Sequence, residues 1–159
     1  MYEIQERMLV EQPTMVVRGT IKLEDIPTFL GRAYHMVDSQ IRDSGAHVVG
    51  EPFARYRCLD GEYREFEVEA GVPVVLAVSG HGGVEASVLP AGPAAVTVHT
   101  GPYERMEPAY DALNAWLDEH GGNADGPAWE VYHTDPNAQP DPATWRTEIV
   151  QPYKEVPRS

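Results

Sequence analysis

The stretch PAAVTVHTGPYERMEPAYDALNAWLDEHGG, residues 93–122, decides the fold class. Its first part is rich in Val, Thr and Ala up to a Gly-Pro-Tyr turn, which predicts a strand. Apolar side chains then recur every three or four positions, which predicts an amphipathic helix that ends at Gly121 and Gly122. Its apolar face comprises Met106, Tyr110, Leu113, Trp116 and Leu117. Two further strands are predicted after the helix, at 127–136 and 144–153.

The first half of the chain has the same order of elements. A strand is predicted at 13–23, a helix at 24–45, and two strands at 51–59 and 63–74. An offset of 76 residues places Tyr34 on Tyr110 and Tyr56 on Tyr132. We therefore predict an α+β fold made of two duplicated strand–helix–strand–strand units, related by a pseudo-twofold axis within a single domain.

The predicted repeats cover about residues 1–72 and 73–159, with strands at 72–80 and 84–90 where they meet. Interfaces between half-domains favour pockets, so the duplication predicts a central cleft that is lined by corresponding strands of both halves. Tyr56 and Tyr132 form such a corresponding pair. A monomer of this kind is complete, although a homodimer stays an alternative.

Composition narrows the classes of function. Twelve Lys and Arg against 25 Asp and Glu give a net charge of −13, which disfavours nucleic acid and favours cationic small molecules or a basic protein surface. The single cysteine, Cys58, and the spacing of the six histidines predict no metal site, and no other motif predicts a cofactor. With no secretory signal or membrane span visible, we expect a cytoplasmic protein.

One strand carries an unexpected charge. In WEVYHTDP, residues 129–136, Glu130 lies between large aromatic residues, although strands are depleted in glutamate. Alternation places Glu130 on the face of Tyr132, and Trp129 and Val131 on the other face. A solvent-facing residue on an amphipathic strand is the simplest interpretation, and a buried counter-charge for a ligand is the alternative. In the last strand, Glu148 allows the same two interpretations.

Three segments together resemble the GyrI-like small-molecule-binding domain, which is related to the effector-binding domains of AraC- and MerR-type multidrug regulators. They are HTGPYERMEPAYDALNAWLDEHG, WEVYHTDP and PATWRTEIVQP, and a weaker similarity extends through GEPFARYRC and FEVEAGVPV. The resemblance implies two fused strand–helix–strand–strand (SHS2-type) units around a central pocket. Because the first strand is predicted almost at the N-terminus, we expect the free-standing form of the domain rather than a regulator.

The resemblance implies that lipophilic, often cationic compounds bind between aromatic side chains with a buried glutamate as counter-charge. The implied glutamates are Glu130 and Glu148, and the implied aromatic wall includes Tyr132, Tyr103 and Tyr56. Tryptophans often line the rim of a wide cleft, so Trp129 joins the predicted ligand contacts.

Two alternatives of other classes stay open. Some members of the family resemble hydrolases of cyclopropane-bearing alkylating compounds, and Glu148, Glu130 and Tyr132 would then be the catalytic residues. A glutamate whose pKa is raised towards neutrality by burial can act as a general base toward water. The other alternative is an acidic protein-interaction module, such as an inhibitor of gyrase.

Overall fold

The structure, a computed structural model, describes residues 2–62, 64–76, 82–135 and 138–155. These residues form an α+β fold that is dominated by antiparallel strands. The strands and helices are β1 (Gln5–Leu9), β2 (Gln12–Lys22), α1 (Ile26–Ser44), β3 (Phe53–Cys58), β4 (Glu65–Pro73), β5 (Glu85–Leu89), β6 (Gly92–Thr100), α2 (Glu107–Glu119), β7 (Gly122–Ala124), β8 (Trp129–Tyr132) and β9 (Arg146–Glu155). The α+β class predicted from the sequence is confirmed.

The chain divides into two compact units. The middle unit comprises Glu11–Pro90, and the terminal unit comprises the described residues of Met1–Val10 and Ala91–Ser159. The predicted repeats met at residues 72 and 73, whereas the compact units change at Val10 and again at Pro90. The difference arises because β5 pairs with β2, while β1 pairs with β6.

In the middle unit the strands lie in the order β3–β4–β2–β5, all antiparallel. Helix α1 buries Phe29, Ala33 and Val37, which recur every four residues and so lie on one face. Strand β2 passes close beneath this helix at Gly19, where an added Cβ would lie 3.0 Å from the Phe29 ring. A side chain at position 19 would therefore require the Phe29 ring and the Ile21 side chain to shift.

In the terminal unit the order is β1–β6–β9–β8, also antiparallel, and β7 pairs with the end of β9. Helix α2 packs on this sheet through a buried cluster. The cluster comprises Ala95, Met106, Ala109, Leu113, Leu117, Ile149 and Tyr153. Ile149 therefore identifies the face of the sheet that carries α2, and we call it the helix face.

Both helices begin later than the sequence pattern predicts. The first helix was predicted to start at residue 24 and the second directly after the Gly-Pro-Tyr turn, at residue 104, whereas α1 begins at Ile26 and α2 at Glu107. Each start is followed at once by a proline, Pro27 or Pro108, and proline is tolerated only in the first turn of a helix. The preceding residues form short 3-10 turns instead, Leu23–Asp25 and Tyr103–Arg105.

Strand β1 was not predicted. Its residues are mostly exposed on both faces, so they do not alternate in polarity as a half-buried strand does. The strand predicted at 72–80 is not continuous: β4 ends at Pro73, Val74 forms an isolated bridge with Val48, and residues 77–80 lie outside the described residues. Neither described helix is long and apolar enough to cross a membrane.

Candidate functional site

Glu130 projects from β8 onto the helix face of the terminal unit. In the β8–β9 register, Glu130 lies opposite Ile149, and Tyr132 lies opposite Thr147. Directly opposed residues of an antiparallel pair share a face of the sheet. Because Ile149 packs against α2, Glu130 and Tyr132 must point towards that helix.

Two tyrosine hydroxyls bind the carboxylate of Glu130. Tyr110, on α2, donates a hydrogen bond to Oε2, and Tyr132 donates one to Oε1 at 2.8 Å. Each carboxylate oxygen therefore receives a phenolic donor, one from the helix and one from the strand. Such hydrogen bonds are what an ionised carboxylate needs in order to tolerate removal from water.

Burial raises the pKa of the Glu130 carboxyl above its ordinary value of 4.5. The hydrogen bonds from Tyr110 and Tyr132, and then the charge of His99, act in the opposite direction. The residue as a whole is partly exposed, but its carboxyl group is enclosed. This group is thus a poorly solvated acceptor that gains from an additional positive charge.

A series of aromatic rings leads from this carboxylate towards the surface. The Tyr103 ring packs edge-on against Tyr132, with 5.7 Å between ring centroids, and its centroid lies 4.9 Å from that of the Trp145 ring. Tyr103 is 39% exposed. Burial, and then the negative charges of Glu130 and Asp135, raise the pKa of the Tyr103 hydroxyl. Glu130, Tyr110, Tyr132, Tyr103 and Trp145 are called the Glu130 cluster below.

His99 holds the turn that carries Tyr103. Its ring is buried, with Nε2 3.0 Å from the Pro102 carbonyl oxygen and Nδ1 2.8 Å from the Tyr2 hydroxyl. A carbonyl oxygen only accepts, so Nε2 carries the proton in this bond, and in a neutral ring Nδ1 accepts from Tyr2. Tyr2 therefore contributes to the support of the cluster.

The second predicted glutamate lies elsewhere. Glu148 is opposite Val131 on β8 and Val98 on β6, so it projects from the face of the sheet that lacks α2. There it forms an ion pair with Arg7 at 3.2 Å, and His133 Nε2 is 3.9 Å away. The structure thus does not bring Glu130 and Glu148 together, because neighbouring pairs in the β8–β9 ladder point to opposite faces.

Two further predicted aromatic contacts are Trp129 and Tyr56. Trp129 is buried opposite Val150, on the same face as Glu148. Tyr56 is on β3 in the middle unit, where its ring packs edge-on against Phe66 at 6.3 Å. Within the terminal unit, the predicted ligand residues that the structure brings together are Glu130, Tyr132 and Tyr103.

Sequence reasoning missed the role of Tyr110. Its helical spacing predicted core packing, and half of that interpretation is correct, since Tyr110 does pack beside the buried cluster of α2. A usable signal was nevertheless present: a tyrosine on an apolar helix face has a hydroxyl that needs a partner. Glu130 was the unexplained acceptor in a neighbouring strand.

The middle unit has an open cavity of about 390 Å³ of its own, beside α1. It contains none of the predicted ligand residues. Its lining comprises Tyr34, His35, Val37, Asp38, Ile41, Val48, Pro52 and Val72. Among the described residues, no group of three or more His, Cys, Asp or Glu side chains is placed to hold a metal ion.

Comparison with solved structures gives several similar folds. The EcmrR C-terminal domain superposes with a TM-score of 0.86 at 21% identity, over 98% of this chain and 99% of that one. In an EcmrR–DNA complex the TM-score is 0.84 at 21% identity, and the match covers 98% of this chain but only 58% of the EcmrR chain.

More distant folds are similar as well. SAV2435 bound to tetraphenylphosphonium gives a TM-score of 0.65 at 16% identity, over 96% of this chain and 94% of that one. A hydrolase from Listeria innocua gives 0.70 at 11% identity, over 96% and 92%. At these identities the similarity establishes the fold alone.

No curated protein is significantly similar to the chain in sequence. A family model does match it: the GyrI-like small molecule binding domain, over residues 2–154. This match covers nearly all of the sequence, including every residue of the Glu130 cluster. The chain therefore belongs to the family of GyrI-like small-molecule-binding domains.

Proposed function

We propose that the protein binds and sequesters lipophilic, cationic aromatic compounds at the Glu130 cluster. The observation that carries this proposal is the enclosed Glu130 carboxylate, which is hydrogen-bonded by Tyr110 and Tyr132. A cation that displaces the remaining water gains a charge interaction that is stronger than it would be in bulk solvent.

The aromatic rings supply the rest of the attraction. A cation over the face of a tyrosine or tryptophan gains roughly 0.5–2 kcal/mol, depending on how far it is desolvated. Tyr132, Tyr103 and Trp145 offer such faces next to the charge. Because few polar groups fix the orientation of a ligand here, we expect broad selectivity. The tetraphenylphosphonium bound to SAV2435, a protein of similar fold, is a ligand of this class.

Calorimetric titration with tetraphenylphosphonium tests the proposal. Wild-type protein should bind it with a micromolar dissociation constant, and Glu130→Gln should weaken binding by about ten-fold or more, because it removes the counter-charge. Glu148→Gln is the matched control, since the same change is made on the opposite face of the sheet. Absence of saturable binding, or an equal loss in both variants, would refute the proposal.

Hydrolysis of cyclopropane-bearing alkylating compounds is a second candidate, and the raised pKa of Glu130 favours it. A carboxyl with this property is suited to general base catalysis. Once Glu130 has taken a proton from water it can donate to the Tyr132 oxygen, which frees the Tyr132 proton for a hydrogen bond to the carbonyl that ring opening releases. Of the three predicted catalytic residues, Glu130 and Tyr132 share one face of the sheet, and Glu148 is on the opposite face. Chromatographic detection of a ring-opened product, formed by wild type and abolished in Glu130→Gln, would establish turnover. A substrate that is bound but recovered intact would exclude it.

We also infer that the two units arose by duplication of a strand–helix–strand–strand module. The inference is supported by the order β2–α1–β3–β4 in the middle unit and β6–α2–β8–β9 in the terminal unit. In each unit the three strands of the module are joined by a fourth, β5 or β1, beside the first. Alignment of homologous sequences should then give significant similarity between the halves, and its absence in a large alignment would count against duplication.

A further inference from the structure

Thr147 has a buried hydroxyl that takes part in none of the contacts described so far. The residue is on β9 and 1% exposed, and its Oγ1 has no hydrogen-bond partner among the described residues. Buried polar atoms in folded proteins are nearly always paired, so this hydroxyl is available to a partner that no described residue supplies. Thr14 in the middle unit shares this property, but it is not in register with any residue of the Glu130 cluster.

Thr147 is at the centre of the site in the sheet register. It lies between His99 on β6 and Tyr132 on β8, and the next pair on the same face is Ile149 with Glu130. Side chains directly opposed across an antiparallel ladder are about 4.5–5.5 Å apart at Cβ, and diagonal ones about 7–8 Å. Thr147 is therefore adjacent to Tyr132 and diagonal to Glu130.

The polar atoms around Thr147 are already engaged with other groups. The Tyr132 hydroxyl donates to Glu130, while both nitrogens of His99 are bound, one to Tyr2 and one to Pro102. The Thr147 hydroxyl can both donate and accept, and it lies within a site that otherwise offers a carboxylate and aromatic rings.

We propose that Thr147 is a specificity-determining residue of the Glu130 site, and that its hydroxyl binds a neutral polar group of the ligand. The assignment rests on the proposed function, and it narrows the ligand class to aromatic cations that carry a hydroxyl or carbonyl oxygen about one ring away from the cationic centre. Tyr103 packs against Tyr132, the ladder neighbour of Thr147, and it is partly exposed on a short 3-10 turn, so we expect the ligand to enter on the side of Tyr103.

A pair of matched cations tests this assignment. Tetraphenylphosphonium offers charge and rings only, whereas [4-(hydroxymethyl)phenyl]triphenylphosphonium adds one neutral hydroxyl at the far side of one ring. Wild-type protein should bind the hydroxymethyl compound about three- to ten-fold more tightly, as expected for one additional hydrogen bond. Calorimetry with both compounds measures the ratio of their dissociation constants directly.

Two variants separate the hydroxyl from the shape of the side chain. Thr147→Val keeps nearly the same shape without the hydroxyl, so the ratio of its dissociation constants for the two compounds should fall to about one. Thr147→Ser keeps the hydroxyl and should retain the preference. Thermal denaturation of Thr147→Val supplies a second measurement, because removal of an unpaired hydroxyl should not destabilise the fold.

The outcomes distinguish this assignment from the proposed function. If tetraphenylphosphonium binds but the hydroxymethyl group adds nothing, only the role of Thr147 is refuted. A preference that persists in Thr147→Val refutes it as well. If neither compound binds to wild type, the proposed function fails, and the assignment fails with it.

Discussion

At the scale of single residues, Glu130 combines a cost to folding with a benefit to binding. Its carboxyl group is enclosed, and the two tyrosine hydroxyls only partly offset the loss of water, since the pKa is still raised. The unpaired charge that makes the ionised form costly is also what a cation would neutralise. A ligand that binds the native state alone therefore stabilises the fold as well.

This residue gives a pH-dependent stability. The folded-state pKa of Glu130 is raised above 4.5, so its contribution to stability is fully present below that pH and is lost as the pH rises through the folded pKa. Glu130→Gln should therefore gain stability over wild type as the pH increases from about 4.5 to 7.5. Urea denaturation of both proteins across this range measures their free energies of unfolding. The prediction is contradicted if the value for Glu130→Gln falls relative to that for wild type as the pH rises.

The sequence predicted Glu130, Tyr132 and Tyr103 because alternation along one strand and one family motif include them. Tyr110 was predicted to pack in the core because of its helical spacing, and His99 was not among the predicted site residues. What identifies them is a partner that is distant in the chain: Glu130 for Tyr110, and Tyr2 for His99. Contacts of this kind depend on the tertiary fold, which local patterns do not determine.

At the scale of elements, the turn between β6 and α2 positions the aromatic wall. Gly101 has a φ of 130°, a conformation that non-glycine residues rarely adopt, and it is followed by Pro102 and Tyr103. The Gly101 amide donates to the Trp145 carbonyl at 2.8 Å. Both rings that extend the Glu130 cluster to the surface, Tyr103 and Trp145, are thus connected at this one backbone position.

Substitution of Gly101 by alanine should therefore affect both stability and binding. We expect Gly101→Ala to cost about 1–3 kcal/mol of unfolding free energy through backbone strain, and to weaken tetraphenylphosphonium binding. The control is Gly31→Ala on α1, where an added Cβ meets nothing within 4 Å. That change should stabilise the protein by about 0.5–1 kcal/mol, because alanine favours helix over glycine.

Chemical denaturation and calorimetry of the two variants provide the comparison. A Gly101→Ala protein as stable as wild type would mean that the turn accommodates a side chain without strain.

Sequence patterns located both helices but not their first residues, which the prolines determine. They missed β1 because an exposed strand has no polarity pattern to detect.

At the scale of the whole molecule, the net charge of −13 gives the protein a negative field. Such a field raises the local concentration of cations and repels anions.

The sequence predicted the α+β class and the family correctly. It did not predict that the first ten residues join the second half of the chain, because that pairing depends on β1 and β6, which are more than eighty residues apart.

The field and the site respond differently to salt. Screening acts mainly on distant surface charges, with a Debye length of about 10 Å at 0.1 M and about 3 Å at 1 M, whereas an enclosed pair is screened much less. Tetraphenylphosphonium affinity should therefore fall only a few-fold between 20 mM and 500 mM NaCl in wild type. Calorimetry at both concentrations measures this change. A fall of a hundred-fold or more would indicate binding to the exposed acidic surface instead of the Glu130 cluster.

The hydrogen bond from Tyr2 to His99 has a practical consequence for anyone who purifies the protein. An affinity tag fused directly before Met1 lies one residue away from a side chain that supports the Tyr103 turn. Such a tag could crowd Tyr2, and ligand assays on tagged material would then report a perturbed site. Binding data should be collected after the tag has been cleaved, and compared with protein that carries its tag at the other end.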